Sequence, residues 1–303
     1  MRVAAIGLGS MGGGAARAML AKGLVVTGCD PWEGARAAFN EAGGQAVSRA
    51  CDIPAGTEGV LVLTVNAAQA RAAIFGPEGC APRMAKGGVL VVSATMAPAD
   101  ARALAADAAA QGLLYLDAPV SGGAKAAAAG TMTVMASGAP EAFAAAQPIL
   151  DAVGGSVWKL GDAPGLGATM KVVHQLLAGV HIAVAAEAMA LGIKAGLDPQ
   201  QIYGVVTGAA GNSWMFQNRM AHVLAGDETP LSAVNIFIKD LGLVDALARD
   251  AQFPVPLAAQ AMQLFIAAAA NGHGGKDDAF VIRAYQALTG IALPGEPGGG
   301  TTR

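Results

Sequence analysis

The sequence predicts two parts in series, an α/β domain on a parallel sheet and then an all-helical domain. Three observations predict this. Short apolar runs alternate with alanine-rich helical stretches through the first half, the pattern of a parallel sheet covered by helices on both faces. Residues 60–65 (VLVLTV) are continuously apolar, as a strand buried on both faces reads. Beyond residues 161–167 (GDAPGLG) the strand pattern stops and helical segments follow.

In chain order, strands are expected at 3–6, 24–29, 60–65, 89–93, 113–117 and 132–136, with a last one near 157–160. Between them, helical segments include 11–22, 33–42 and 98–111. A long helix is expected over about 168–195, then helices at 199–206, 215–224, 233–250, 257–270 and 277–288. This divides the chain into residues 1–162, a joining helix over 163–195, and a helical domain over 196–303. The tail from Pro294 (PGEPGGGTTR) reads as loose.

Composition narrows the function classes. The 303 residues are 54% hydrophobic and 14% charged, which excludes a disordered chain and suffices for a sizeable core. A net charge of -3 and a pI near 5.8 offer no basic surface for nucleic acid. The mean hydropathy of +0.47 raises the membrane question. The longest uncharged stretch, 251–275, has an apolar content that is mostly alanine and holds Pro254, Pro256, Gln260, Gln263 and Asn271; it reads as a buried helix rather than a span. The N-terminal MRVAAIGLGSMGG has no long apolar core before a cleavage site, so no signal peptide is expected. Cys29, Cys51 and Cys80 are scattered and form no CxxC pair. Neither a disulfide frame nor a zinc site is indicated, and a cytoplasmic location is expected. His222 and His273 lack paired neighbours, so no metal is expected.

The first motif follows the first strand. Gly7-Leu8-Gly9-Ser10-Met11-Gly12 is a GxGxxG that opens a helix, and Asp30 ends the next strand. That context, more than the glycines alone, signals a dinucleotide site. Gly7 permits the tight turn, Gly9 leaves room for a pyrophosphate, and Gly12 allows close helix packing. The helix N-terminus offers N–H groups to phosphate. Asp30 would accept the adenosine ribose hydroxyls and repel a 2′-phosphate, and Pro31-Trp32-Glu33 supplies no arginine. The expected cofactor is therefore NAD.

Two further clusters follow. Residues 117–123 (DAPVSGG) end a strand with a hydroxyl and two glycines. Ser121 and the N–H groups of Gly122 and Gly123 either hold a substrate carboxylate, as anion nests do, or make an ordinary turn. Lys171 begins the long helix, and His174 and Gln175 share its face at i+3 and i+4. The lysine either reaches solvent or points with them into a polar pocket. Lys239-Asp240 lies between Phe237 and Leu243, as a solvated stripe or a second wall of the cleft.

Together these motifs resemble the β-hydroxyacid dehydrogenase family, which includes 3-hydroxyisobutyrate and tartronate semialdehyde dehydrogenases. GLGSMG, DAPVSGG, GLGATMK and KDLG occur in the family's order and spacing over nearly the whole chain. The resemblance implies an α/β Rossmann-type N-terminal domain plus an all-α C-terminal domain, joined by a long interdomain helix. It implies Lys171 as the catalytic lysine, with His174, Gln175 and Asp240 around it, and Ser121, Gly122 and Gly123 as the substrate-carboxylate loop. Lys239 is implied near the cofactor. Thr64, Val65, Asn66 and Thr95 are implied on its nicotinamide side. The partner implied is a small hydroxy acid. A homodimer or homotetramer is expected because the charge-poor helical half has apolar faces to bury.

One departure bears on substrate. Most members carry asparagine four residues after the lysine, and this chain carries Gln175 preceded by His174. With Asn212-Ser213-Trp214-Met215-Phe216, that pattern is similar to a branch that oxidises C2 of a four-carbon sugar acid. Trp214 and Phe216 either close the site or pack in the core. The expected mechanism has neutral Lys171 take the hydroxyl proton as hydride leaves carbon, with Asp240 helping to hold the amine. A lysine titrates near ~10.4, and desolvation lowers this toward the ~7–8 useful to a base. The competing readings are a 3-hydroxyisobutyrate or tartronate semialdehyde type of substrate, and a catalytically silent NAD-binding module.

Overall fold

A computed structural model describes residues 1–296. The chain forms two compact units, Met1–Lys171 and a second from Val172 onward.

In the first unit, six strands make one sheet: β1 (Arg2–Ile6), β2 (Val25–Cys29), β3 (Gln45–Val47), β4 (Thr57–Val62), β5 (Met84–Val92) and β6 (Leu114–Asp117). Their order is β3-β2-β1-β4-β5-β6, and every neighbouring pair is parallel. This is the doubly wound order of the Rossmann fold, as expected. The helices α1 (Ser10–Ala21), α2 (Glu33–Glu41), α3 (Ala67–Phe75), α4 (Pro98–Ala110), α5 (Gly123–Ala129) and α6 (Pro140–Val153) belong to the same unit. Successive strand residues face opposite ways. Val3, Ala5, Leu61, Val89 and Val91 enter one core, and Ala4, Ile6, Val60, Val62, Leu90 and Val92 enter the other. Two buried faces explain why these strands read as unbroken apolar runs.

The strand expected at 60–65 is shifted: β4 ends at Val62, and Thr64 and Val65 lie in the loop beyond it. The strands expected at 132–136 and near 157–160 form, but outside the main sheet. β7 (Val120–Ser121), β8 (Met132–Ala136) and β9 (Gly154–Lys159) make a second, three-stranded sheet. β7 pairs with β8 antiparallel, and β8 with β9 parallel. Pro119, two residues past β6, has no N–H to continue a ladder. Its carbonyl instead accepts from Met135 N at 2.9 Å, and Asp117 and Ser137 form an antiparallel bridge.

The helix α7 (Leu166–Lys194) starts in the first unit and continues in the second. With mean hydropathy 1.9 over its most apolar window, it is the one helix among the described residues long and apolar enough to cross a bilayer. In this fold Ile182, Ala186 and Met189 place it in a helical core with Phe237, Leu241, Phe265 and Phe280. Around it stand α8 (Pro199–Thr207), α9 (Trp214–Ala225), α10 (Val234–Asp250), α11 (Pro256–Ala268) and α12 (Ile282–Thr289).

Local chemistry sets these helix starts. Asp198 caps α8 by accepting Gln200 N, and Ser213 caps α9 by accepting Phe216 N. The helix expected over 277–288 is a 3-10 turn, Asp278–Val281, followed by α12. Buried Asp277 accepts from Leu231 N and Ala279 N, which holds that turn tight. Part of the tail expected to be loose is anchored: Glu296 pairs with Arg283 and accepts from Gln286 and Leu293 N. The rest of that tail, 297–303, lies outside the described residues.

Candidate active site

β1 delivers the glycine turn. Gly7 has φ +85°, where an added Cβ would stand 2.6 Å from the Leu63 carbonyl oxygen. A Cβ on Gly12 would stand 1.7 Å from Gly7 O, so the turn closes on the helix it opens. At Gly9 nothing lies within 4 Å of the same position. Gly9 is also the N-cap of α1, and no side chain caps that helix. Open space beside uncapped N–H groups at a helix N-terminus suits a pyrophosphate. These residues, with Leu8, Ser10 and Met11, fit a dinucleotide.

Asp30 follows β2 beside this turn. Its Oδ2 accepts Leu8 N at 2.7 Å and its Oδ1 accepts Trp32 N at 2.8 Å. The carboxylate is therefore locked in place before any ribose arrives. Arg36, the next cation along the chain, donates Nη1 to the carbonyls of Asp30 and Pro31.

In the sheet order, β1 and β4 flank the switch point, where such folds bind ligands at the strands' carboxyl ends. Thr64, Val65 and Asn66 follow β4 there. Asn66 caps α3 by accepting Gln69 N at 2.9 Å, Val65 N donates to Gln69 Oε1, and Thr64 Oγ1 donates to Asn66 O. Thr95 lies three residues past β5, between buried Ala94 and Met96.

The residues expected to hold a substrate carboxylate sit just past β6. Ser121 is half-buried in β7, and Gly122 and Gly123 have φ +132° and +68°. Side chains rarely adopt such angles, so both positions favour glycine.

Lys171 is buried, 7% exposed, and its Nζ donates to the Val120 carbonyl at 2.8 Å. The lysine therefore points inward, against the residue that precedes Ser121.

The start of α7 reveals two residues that sequence reasoning missed. Asp117 Oδ2 accepts Gly165 N at 2.9 Å and Ala168 N at 2.8 Å. Ser137 Oγ accepts Gly167 N at 3.0 Å and lies 3.4 Å from the same carboxylate. These contacts satisfy N–H groups that a helix start leaves unpaired. The preceding residues, Asp162-Ala163-Pro164-Gly165, place no capping side chain at the N-cap. That missing local cap, with a buried-strand aspartate elsewhere, is the signal that would have found the pair. Gly167 lies so close that a Cβ there would stand 2.5 Å from Met135 O.

Burial pushes the Asp117 carboxyl up from 3.8 to about 6, against the lowering effect of its N–H donors. The folded state thus holds this proton more tightly than the unfolded one. The resulting stability is full below about pH 4 and lost as pH rises through about 6. Asp117→Asn removes that dependence. Its stability relative to the parent should be greater at pH 8 than at pH 4, by about 3 kcal/mol. Urea midpoints at the two pH values test this, and an equal difference at both would reject it.

In the second unit, hydrogen bonds and an ion pair link four expected residues. His174 Nδ1 lies 2.9 Å from Gln175 Oε1, Gln175 Nε2 donates to Asp240 Oδ2 at 2.5 Å, and Lys239 Nζ pairs with Asp240 Oδ1 at 2.6 Å. Asp240 is 1% exposed, so Lys239-Asp240 is no solvated stripe. Its placed partners are Gln175 and Lys239. Phe216 is 3% exposed and stacked on Tyr203, which assigns it to core packing rather than to closing a site. Trp214, the first residue of α9, is 60% exposed.

A parallel sheet with a glycine turn at β1, a fixed acid after β2 and a buried lysine amine defines a dinucleotide-dependent oxidoreductase. Residues 2–161 match the family model for the NAD binding domain of 6-phosphogluconate dehydrogenase. Residues 165–285 match that for the NAD-binding region of NADP-dependent 3-hydroxyisobutyrate dehydrogenase. The chain is 50% identical to an L-threonate dehydrogenase of Cupriavidus necator, covering 97% of this chain and 98% of that one. It is 34% identical to a 3-hydroxyisobutyrate dehydrogenase of Pseudomonas aeruginosa, covering 94% and 98%. A crystal structure named 3-hydroxyisobutyrate dehydrogenase, from Salmonella typhimurium, superposes with a TM-score of 0.90 at 50% identity, covering 93% and 99%. This chain belongs to the 3-hydroxyisobutyrate dehydrogenase-like, or β-hydroxyacid dehydrogenase, family. It is a dehydrogenase that uses a nicotinamide cofactor on a small hydroxy acid.

Proposed function

We propose that this enzyme oxidises L-threonate at C2 with NAD, using Lys171 as the general base. The observation that carries the reading is the buried Lys171 amine, held at the Val120 carbonyl beside residues 121–123. Ser121 and the N–H groups of Gly122 and Gly123 bind the substrate carboxylate. That places the C2 hydroxyl at the amine, which takes its proton. The bound nicotinamide supplies the hydride acceptor. Within the second unit, Asp240 Oδ2 accepts Gln175 Nε2, and His174 Nδ1 lies at Gln175 Oε1, so that amide is held on both sides. The substrate choice is supported by the 50% identical L-threonate dehydrogenase relative and by the Lys-His-Gln pattern.

NAD is favoured over NADP by the locked Asp30 carboxylate, whose charge opposes a 2′-phosphate, and by the engagement of Arg36 with backbone carbonyls. A second reading, oxidation of 3-hydroxyisobutyrate, has the name of the Salmonella structure in its favour. One assay separates them: NADH and NADPH formation across three- and four-carbon hydroxy acids. L-Threonate should exceed 3-hydroxyisobutyrate in kcat/KM by about tenfold or more. NAD should exceed NADP by about 10²-fold. The reverse order in either comparison rejects that half of the proposal.

Self-association, as a dimer or tetramer, belongs to the same proposal. Val173, Leu177, Val184 and Leu191 leave an apolar stripe exposed along α7 at heptad-like spacing. Light scattering should give a mass above that of one chain. Leu177→Glu with Leu191→Glu should return it to one chain, and a monomeric parent would reject the idea.

A further inference from the structure

We propose that Asp117 is a positioning residue of the dehydrogenase site. With Ser137, it clamps the first turn of α7 and so sets where that helix presents the Lys171 amine. The inference rests on the reading of Lys171 as the base.

The geometry lies wholly within the first unit. Asp117 is the last residue of β6 and is 2% exposed. Its backbone is pinned: Asp117 N donates to Ser137 O at 3.0 Å, and Ser137 N donates to Asp117 O at 2.8 Å. From this rigid bridge the two side chains reach the N–H groups of Gly165, Gly167 and Ala168, 48, 30 and 51 residues from their partners. No residue adjacent in sequence does this work. Four positions beyond Gly167 on the same helix face stands Lys171, whose Nζ meets the carbonyl of Val120.

Asp117 and Val120 are three residues apart in one strand-end segment, which continues directly into Ser121, Gly122 and Gly123. Two fasteners thus join that segment to α7, a carboxylate at the helix start and a carbonyl at the amine. The carboxylate also faces the positive end of the helix dipole, which favours its charge. Removing it leaves buried N–H groups without an acceptor. The first turn must then shift, and the amine moves relative to the carboxylate loop. Displacements of about 1 Å at a reacting group cost about 10²-fold in rate.

Asp117→Ala, Asp117→Asn and Ser137→Ala, each assayed as full-length enzyme, test this. Asp117→Ala should lower kcat by about 10²-fold. The Kd for NADH, read by fluorescence, should stay within about twofold, because the glycine turn and Asp30 are untouched. Asp117→Asn keeps one oxygen for both N–H groups and should recover kcat to within about fivefold of the parent. Ser137→Ala loses one N–H contact and should cost about tenfold in kcat; it decides the matter if Asp117→Ala does not fold. The proposal is overturned if both Asp117→Ala and Ser137→Ala keep kcat within twofold. It is equally overturned if NADH affinity falls as far as kcat, or if the asparagine is no better than the alanine. Lys171→Ala in parallel separates the two ideas. If it stays active, the base assignment fails; if it is inactive while Asp117→Ala is fully active, only the positioning role fails.

Discussion

Lys171→Ala is expected to lower kcat by about 10³-fold, the range that a lost general base accounts for. NADH binding should change by less than twofold, since the glycine turn and Asp30 lie elsewhere in the first unit. Alanine also strands the Val120 carbonyl that Nζ now satisfies, so a modest loss of stability, about 1–3 kcal/mol, should accompany it. Lys171→Arg sharpens the test. Arginine keeps the positive charge and can still donate to a carbonyl, but it cannot give up its proton near neutral pH. If the amine acts as a base, the arginine variant should be nearly as inactive as the alanine. If the lysine only holds the substrate by charge, arginine should restore a large share of the rate. Recovery above about a tenth of the parent kcat would remove the base from the mechanism.

Gly12→Ala and Gly9→Ala should fail in different ways, though both alter one turn. A methyl at Gly12 would sit 1.7 Å from Gly7 O. The backbone must open, at a cost of about 3 kcal/mol, and cofactor affinity should fall with the turn's shape. Gly9 has φ -59°, and nothing of the protein stands within 4 Å of an added Cβ. Gly9→Ala should therefore leave the melting temperature within about 1 °C, since surface changes without a partner scarcely alter stability. Its methyl would occupy the space assigned to the pyrophosphate, and the NADH Kd should rise by more than about tenfold. Thermal melts and fluorescence titration of both variants check this. A Gly9→Ala protein that binds NADH normally would show that the open space is not where the phosphates lie.

Much of the cofactor side is legible in the sequence because its chemistry is local. The glycine turn, its helix and Asp30 lie within 24 residues, and each residue type is dictated by the backbone near it. The alternation of apolar runs and helices likewise points to the parallel sheet, because β1, β4 and β5 are each buried on both faces. Legibility falls where partners are distant. Strands β8 and β9 were recognisable as strands, but nothing in their own residues says that they leave the main sheet. The two roles left open for Lys171 and for Phe216 could be separated only by burial. A lone lysine on an alanine-rich helix fits solvent and pocket equally well, and an aromatic at a helix start fits a lid and a core. Asp117 stayed unread for the same reason: its donors are 48 and 51 residues away.

The amino-acid order alone determined the class of fold, the dinucleotide turn and the acid beside it, since each depends on neighbours a few residues apart. Tertiary structure decided which way the Lys171 amine points, what caps the helix that carries it, and which of Trp214 and Phe216 is exposed. Those outcomes depend on which backbone groups packing brings together and seals from water, and no short stretch of chain contains both partners.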